Sequence, residues 1–197
     1  KNSWCNNCHA ATMPPHYGNS LTAGGDSDDG LYCYQCHDPH SLEIEPKSCS
    51  PCHANVVTND DLENIRQSKV DYDGDGNLTE GIAAELAEYS ERLYSATRAY
   101  AEGTLGTPIV YNEGAYPYFF IDTNNDGQTD EAEAVNANRY TKWSPRLLRA
   151  AYNYQFVHKD PGGYAHNPKY LIQVAYDSLS DLGQAATVDM SGLVRPQ

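Results

Sequence analysis

Apolar residues recur at helical spacing in three stretches after residue 60, and almost nowhere before it. Ile82, Leu86, Tyr89, Leu93 and Tyr100 fall near one face of a helix running from about Glu80 to Glu102, with Gly103 and Gly106 to end it. Ser144-Pro145 opens a second helix, to about Val157. A serine hydroxyl there can accept an orphan N–H, and proline suits the first helical position. This helix carries Leu147, Leu148, Ala151, Tyr152 and Phe156. Asn167-Pro168 opens a third, to about Leu182, closed by Gly183. Between them, Pro108 to Ile121 reads as a loop with one short extended piece, and a short helix follows Asp130. From Gln184 to Gln197 no period persists. The pattern predicts a mainly α fold with long loops. Residues 1–60 form a loop-rich module, and residues 61–197 form a helical domain.

Charge narrows the partners. Of 197 residues, 13 are Lys or Arg and 27 are Asp or Glu, giving a net charge of -14. Such a surface repels nucleic acid and anionic lipid and favours divalent cations and basic partners. The chain has 16 Tyr but only 3 Phe. Tyr packs against a flat ring and still faces water, so a large aliphatic core is not what this composition builds. No apolar run reaches membrane-spanning length. The chain starts at Lys1, as expected after removal of a signal peptide or in a fragment.

All six cysteines fall in three copies of one pattern: Cys5-Asn6-Asn7-Cys8-His9, Cys33-Tyr34-Gln35-Cys36-His37 and Cys49-Ser50-Pro51-Cys52-His53. Cys-x-x-Cys-His is the spacing of c-type haem attachment. Two thiols three positions apart reach the two vinyl groups of one porphyrin, and the adjacent imidazole holds the iron from the proximal side. Structural disulfides give no reason for a His after every pair. A zinc site uses two pairs and leaves the third idle. A thioredoxin-like pair predicts one motif beside a βαβ unit. The pattern therefore predicts three covalent haem c groups. Haem is attached to this motif on the outer side of the cytoplasmic membrane, so the expected location is periplasmic or extracellular.

Seven His are present, three of them proximal, and His16, His40, His158 and His166 remain to close the other face of each iron. His40 follows His37 by three residues, and its geometry suits a neighbouring haem better than its own. His16 sits in the haem module after Pro14-Pro15. His158 and His166 flank Asp160-Pro161-Gly162-Gly163, and His166 is held just before a helix start. His16, His40 and His166 are the expected distal ligands; Met13 is read as packing. A closed iron favours electron transfer over catalysis.

Two carboxylate-rich loops add a second chemistry. From Asp122 to Glu133, oxygen donors Asp122, Asn124, Asp126, Asp130 and Glu133 occupy EF-hand ligand positions, Gln128 supplies the backbone position, and Gly127 the sharp turn. The first loop opens the same way with Asp71, Asp73, Asp75, Gly76 and Asn77, but its twelfth position is Ile82, which has no donor. Glu80 or Glu85 could supply the last ligand. Hard oxygen donors favour Ca2+, one or two ions, acting as structural staples.

The haem module resembles multihaem c-type cytochromes, where Cys36-His37-Asp38-Pro39-His40 has its counterpart in a recurring motif. Residues 70–182 resemble a domain fused to such modules. The matching segments are Asp71-Tyr72-Asp73-Gly74-Asp75-Gly76, Tyr116-Pro117-Tyr118-Phe119-Phe120, Trp143-Ser144-Pro145-Arg146-Leu147-Leu148 and Ala165-His166-Asn167-Pro168-Lys169-Tyr170. The resemblance implies respiratory or extracellular electron transfer to other redox proteins or extracellular acceptors, and favours His166 over His158. Small extracellular cytochromes that polymerise into conductive filaments imply a homopolymer with haem contacts between subunits. Two rivals stand beside the electron carrier: a multihaem reductase with one open iron, and a calcium-stabilised structural or adhesive subunit.

Overall fold

A computed structural model describes His37, Asp38, residues 40–50 and residues 53–197. Cys5, Cys8, His9, Met13, His16, Cys33, Cys36 and Cys52 lie outside the described residues. The described chain is mainly helical with long loops. Its helices are α1 (Ile82–Leu105), α2 (Pro145–His158), the single turn α3 (Gly163–His166) and α4 (Pro168–Gly183). Strands β1 (Ile109–Tyr111) and β2 (Phe119–Ile121) form an antiparallel pair with Val110 opposite Phe120. No helix among the described residues is long and apolar enough to cross a membrane.

Two expectations change. The stretch from Pro108 to Ile121 holds two strands rather than one extended piece, joined where the Asn112 N–H bonds the Tyr118 carbonyl at 2.7 Å. The segment after Asp130 is a run of turns ending in the 3-10 turn Asn136–Asn138, not an α-helix. The Asp130 carboxylate accepts the N–H groups of Ala132 and Glu133 at 2.8 and 3.0 Å, which closes a local turn in place of a helical ladder.

The chain divides into two compact units. Among the described residues, the first holds those up to Glu88, Asp160–Gln173 and Val194–Gln197. Val56, Leu62, Tyr72, Leu86, Leu171 and Ile172 are buried there. The C-terminal tail is irregular, as expected, yet this unit fastens it: Val194 N–H bonds the Tyr72 carbonyl at 2.8 Å, and Gln173 Nε2 donates to the Pro196 carbonyl at 3.0 Å.

The second unit holds Tyr89–Lys159 and Val174–Leu193. Tyr89, Leu93, Phe120, Leu147, Leu179 and Leu182 are fully buried. At 3.6 residues per turn, Leu147, Ala150, Ala151, Tyr154 and Val157 form the buried face of α2. Leu148 and Tyr152 lie about 100° round the helix from that face and are exposed, contrary to the apolar stripe expected of them. The Ser144 hydroxyl caps α2 by accepting the Leu147 N–H at 3.1 Å. Asp181 binds Arg146 at 3.1 Å and Arg149 at 2.7 Å, and their hydrogen bonds hold its carboxyl below the usual carboxylate range. Tyr fills space that Phe would fill elsewhere. Tyr94 stacks on Tyr154 at 4.8 Å, while its hydroxyl accepts the Tyr111 N–H at 3.0 Å.

Leu93→Ala is expected to cost about 2–5 kcal/mol in denaturant unfolding, because a fully buried side chain leaves a cavity. Tyr152→Ala, on the exposed face of α2, is expected to change stability by less than about 0.5 kcal/mol in the same measurement.

Candidate functional site

His37 opens a tight turn. The Asp38 carboxylate accepts the N–H groups of His40 and Ser41, each at 2.8 Å, and these bonds hold its carboxyl below the ordinary range. The Leu42 N–H closes on the Asp38 carbonyl at 2.8 Å, and His37 pairs with Ile44 in an antiparallel bridge. Leu42 takes a φ of 62°, and its carbonyl lies 2.9 Å from His37 Nδ1. A carbonyl can only accept, so Nδ1 carries the hydrogen and Nε2 is the nitrogen with a lone pair. A backbone carbonyl holding the far nitrogen is how metal-binding imidazoles are oriented. His40 is exposed on the same turn.

The third motif begins on the 3-10 turn Pro46–Ser48, where Cys49 N–H bonds the Pro46 carbonyl at 2.9 Å. His53 N–H bonds the Cys49 carbonyl at 2.9 Å, so thiol and imidazole sit one helical turn apart on the chain. Ser50 Oγ donates to the Val56 carbonyl at 2.8 Å and ties the motif to the segment after it. Burial first, then the charges of Glu63 and Cys49, push the Tyr164 phenol up.

His166 ends α3 and sits against the turn before it. Its N–H bonds the Gly162 carbonyl at 2.9 Å, while Asp160 Oδ1 accepts the Gly162 N–H at 3.1 Å. A Cβ at Gly162 would lie 2.8 Å from His166 Cε1 and 2.9 Å from Nδ1, but 3.6 Å from Nε2. Any larger residue there would require the His166 ring to shift. The imidazoles of His166 and His37 lie 6.2 Å apart between centres, with their planes at 43°. His158 differs. It stacks on Tyr154 at 5.2 Å, meets the edge of Tyr111 at 5.7 Å and approaches Glu113 at 3.8 Å.

The two acidic loops share one backbone plan. Positions four and six take left-handed φ in both: Gly74 at 78° and Gly76 at 86° in the first, Asn125 at 57° and Gly127 at 80° in the second. In each loop the first aspartate accepts the sixth N–H: Asp71 from Gly76 at 2.8 Å, Asp122 from Gly127 at 2.9 Å. Asp75 accepts from Asn77 and Asp126 from Gln128 in the same way. At the far end, Glu133 Oε1 accepts the Thr123 N–H at 2.6 Å, and Glu85 Oε2 accepts the Tyr72 N–H at 2.6 Å. Glu85 thus does in the first loop what the twelfth residue does in the second, although it sits three positions later, in the first turn of α1.

The loops differ in how they gather charge. Carboxylate oxygens of Asp71, Asp73 and Glu85 lie within 4.8 Å of one another, as do those of Asp73, Asp75 and Glu80. Burial, opposed in part by the Asp75 N–H and reinforced by the charges of Glu85 and Asp75, pushes Asp73 up to about 6. Burial and its acidic neighbours also raise Glu80. Arg66 forms an ion pair with the buried Glu85. Among the described residues, the second loop gathers no such triad. One of its side-chain donors, Asn124, is an uncharged amide, and the Arg98 guanidinium stands 3.4 Å from Asp122. Its Asp130 bonds local N–H groups, while Glu133 Oε2 is buried without a hydrogen-bond partner.

One chain thus carries three Cys-x-x-Cys-His motifs and two acidic loops of one backbone plan. The chain is similar to polyhaem c-type cytochromes. The C-type polyheme cytochrome OmcC of Geobacter sulfurreducens (strain ATCC 51573 / DSM 12127 / PCA) is 29% identical over 187 residues, which cover 90% of this chain and 20% of that protein. The C-type polyheme cytochrome OmcB of two strains of the same species is 28% identical over 187 residues, with the same coverage. The chain thus spans about a fifth of the length of these relatives. No protein-family profile and no solved structure matches it.

Several residues at these sites carry no motif. Arg66 and Arg98 are ordinary cations in sequence, yet each lies against a carboxylate of one loop. No sequence signal marks either arginine, since each meets its carboxylate only once the loop is folded. Gly162 reads as a turn residue, and its contact with His166 appears only once the turn is folded.

Proposed function

We propose that this chain is an electron carrier with three covalent haem c groups. The observation that carries this reading is the use of all six cysteines in three Cys-x-x-Cys-His motifs, in a chain similar to polyhaem cytochromes. Cys5, Cys8 and His9, Cys33, Cys36 and His37, and Cys49, Cys52 and His53 bind one group each. The described residues fit the group: His37 presents Nε2 because Leu42 holds Nδ1, as an axial ligand requires. His16, His40 and His166 serve as distal ligands. Bound haem supplies one-electron chemistry at low-spin iron; the chain's own part is to fix the imidazoles and close the irons to substrate.

The acidic loops are read as calcium staples. Asp71, Asp73, Asp75 and Asn77 belong to the first, and Asp122, Asn124, Asp126, Gln128, Asp130 and Glu133 to the second. The last ligand of the first loop is Glu85 rather than Glu80, because Glu85 takes the loop N–H that Glu133 takes in the other. The orphaned, buried Glu133 Oε2 supports a cation at the second loop. Carriage in the periplasm or outside the cell follows from where this attachment chemistry takes place. Electrons pass to other redox proteins or extracellular acceptors. Assembly into a filament with haem contacts between copies is the arrangement to look for in native material by electron microscopy.

Both oxidation states are expected to show low-spin optical spectra, with no rapid carbon monoxide binding to the reduced protein. A high-spin band in the native protein identifies an open iron and favours a reductase instead. Removing divalent cations with a chelator is expected to lower the melting temperature with haem bands intact, and Ca2+ to restore it. In calorimetric titration of the chelated protein, Glu85→Gln is expected to weaken the first site by tenfold or more, a loss of at least about 1.4 kcal/mol. Glu80→Gln is expected to change it by less. The reverse order would transfer the last ligand to Glu80.

A further inference from the structure

We infer that His37 and His166 are the two axial ligands of a single iron, that of the haem carried by Cys33 and Cys36. The inference rests on the haem reading above and assigns one pair within it.

Three observations support it. The first is distance. Two imidazoles on opposite sides of one metal, each bonded at about 2 Å, hold their ring centres roughly 6 Å apart. The two rings lie 6.2 Å apart between centres, the separation that one shared ion would set. The second is the direction of each ring. Leu42 fixes the Nδ1 hydrogen of His37, which leaves Nε2 as the nitrogen with a lone pair, and at His166 the Nδ1–Cε1 edge lies nearer Gly162 than Nε2 does. The third is the construction of the seats. The His37 turn is closed by the Asp38 carboxylate and a left-handed Leu42. The His166 turn is closed by Asp160 and a glycine whose Cβ would strike the ring. His40 shares the His37 turn, but is exposed, and His158 is occupied by Tyr154, Tyr111 and Glu113.

The pairing means that the second haem ties the N-terminal module to a turn more than a hundred residues later in sequence. Its distal ligand comes from outside the motif region. Gly162 is then a positioning residue that acts through His166.

The test uses the full haem-loaded chain. His166→Ala is expected to leave the covalent haem mass unchanged while one-third of the low-spin absorbance becomes high-spin. That fraction should bind carbon monoxide when reduced, and added imidazole should restore it. Gly162→Val, which crowds the ring without removing it, is expected to perturb the same fraction. His158→Ala is expected to leave the spectrum unchanged. In a Cys33→Ser, Cys36→Ser background, which lacks that haem, His166→Ala is expected to have no further effect on spin state. The pairing is overturned if His166→Ala leaves every iron low-spin, or if it opens an iron in the background without the second haem. Colourless protein would instead refute the haem reading itself.

Discussion

An imidazole binds iron through one lone pair, and that lone pair has a fixed direction only when the ring's other nitrogen is tied down. At His37 the ring's Nδ1 is tied down by backbone alone. Leu42 adopts a conformation that few non-glycine residues take, and its carbonyl holds Nδ1. Asp38 makes that turn affordable by accepting two N–H groups within it. The dipeptide that follows the second cysteine pair thus holds both the imidazole and the anchor of the turn that orients it.

The same economy shows in the treatment of charge. Net negative charge destabilises a compact state through self-repulsion. The acidic groups here are not spread evenly; many are drawn into two loops where backbone N–H groups and one arginine each meet them. In the first loop burial first, and the charges of Glu85 and Asp75 after it, push the Asp73 carboxyl up, so a cation there would offset both. Tyrosine joins aliphatic side chains in the second unit, where the Tyr154 ring meets those of both Tyr94 and Tyr111.

Helix existence was legible because apolar spacing and caps agreed. Ser144-Pro145 starts α2 where serine and proline predict it, and Gly183 ends α4. The facing of α2 was less legible, since Leu148 and Tyr152 are apolar but stand on its exposed side. The turn after Asp130 was misread as helix because its side chain competes for the N–H groups a helix would use. Glu85 illustrates what a motif misses. A twelfth-position rule looks at Ile82, whereas the fold brings in a carboxylate three residues further along the first turn of α1. Pairwise assignment of histidines was not legible, because spacing says nothing about which residues distant in sequence meet.

Covalent attachment of porphyrin to the paired thiols is the claim with most at stake, and denatured mass spectrometry with peptide mapping reads it directly. The predicted result is the 21.8 kDa chain plus three haem masses, one on each of the peptides bearing Cys5, Cys33 and Cys49. A chain of unmodified mass, or zinc held by those sulfurs under native conditions, would contradict it.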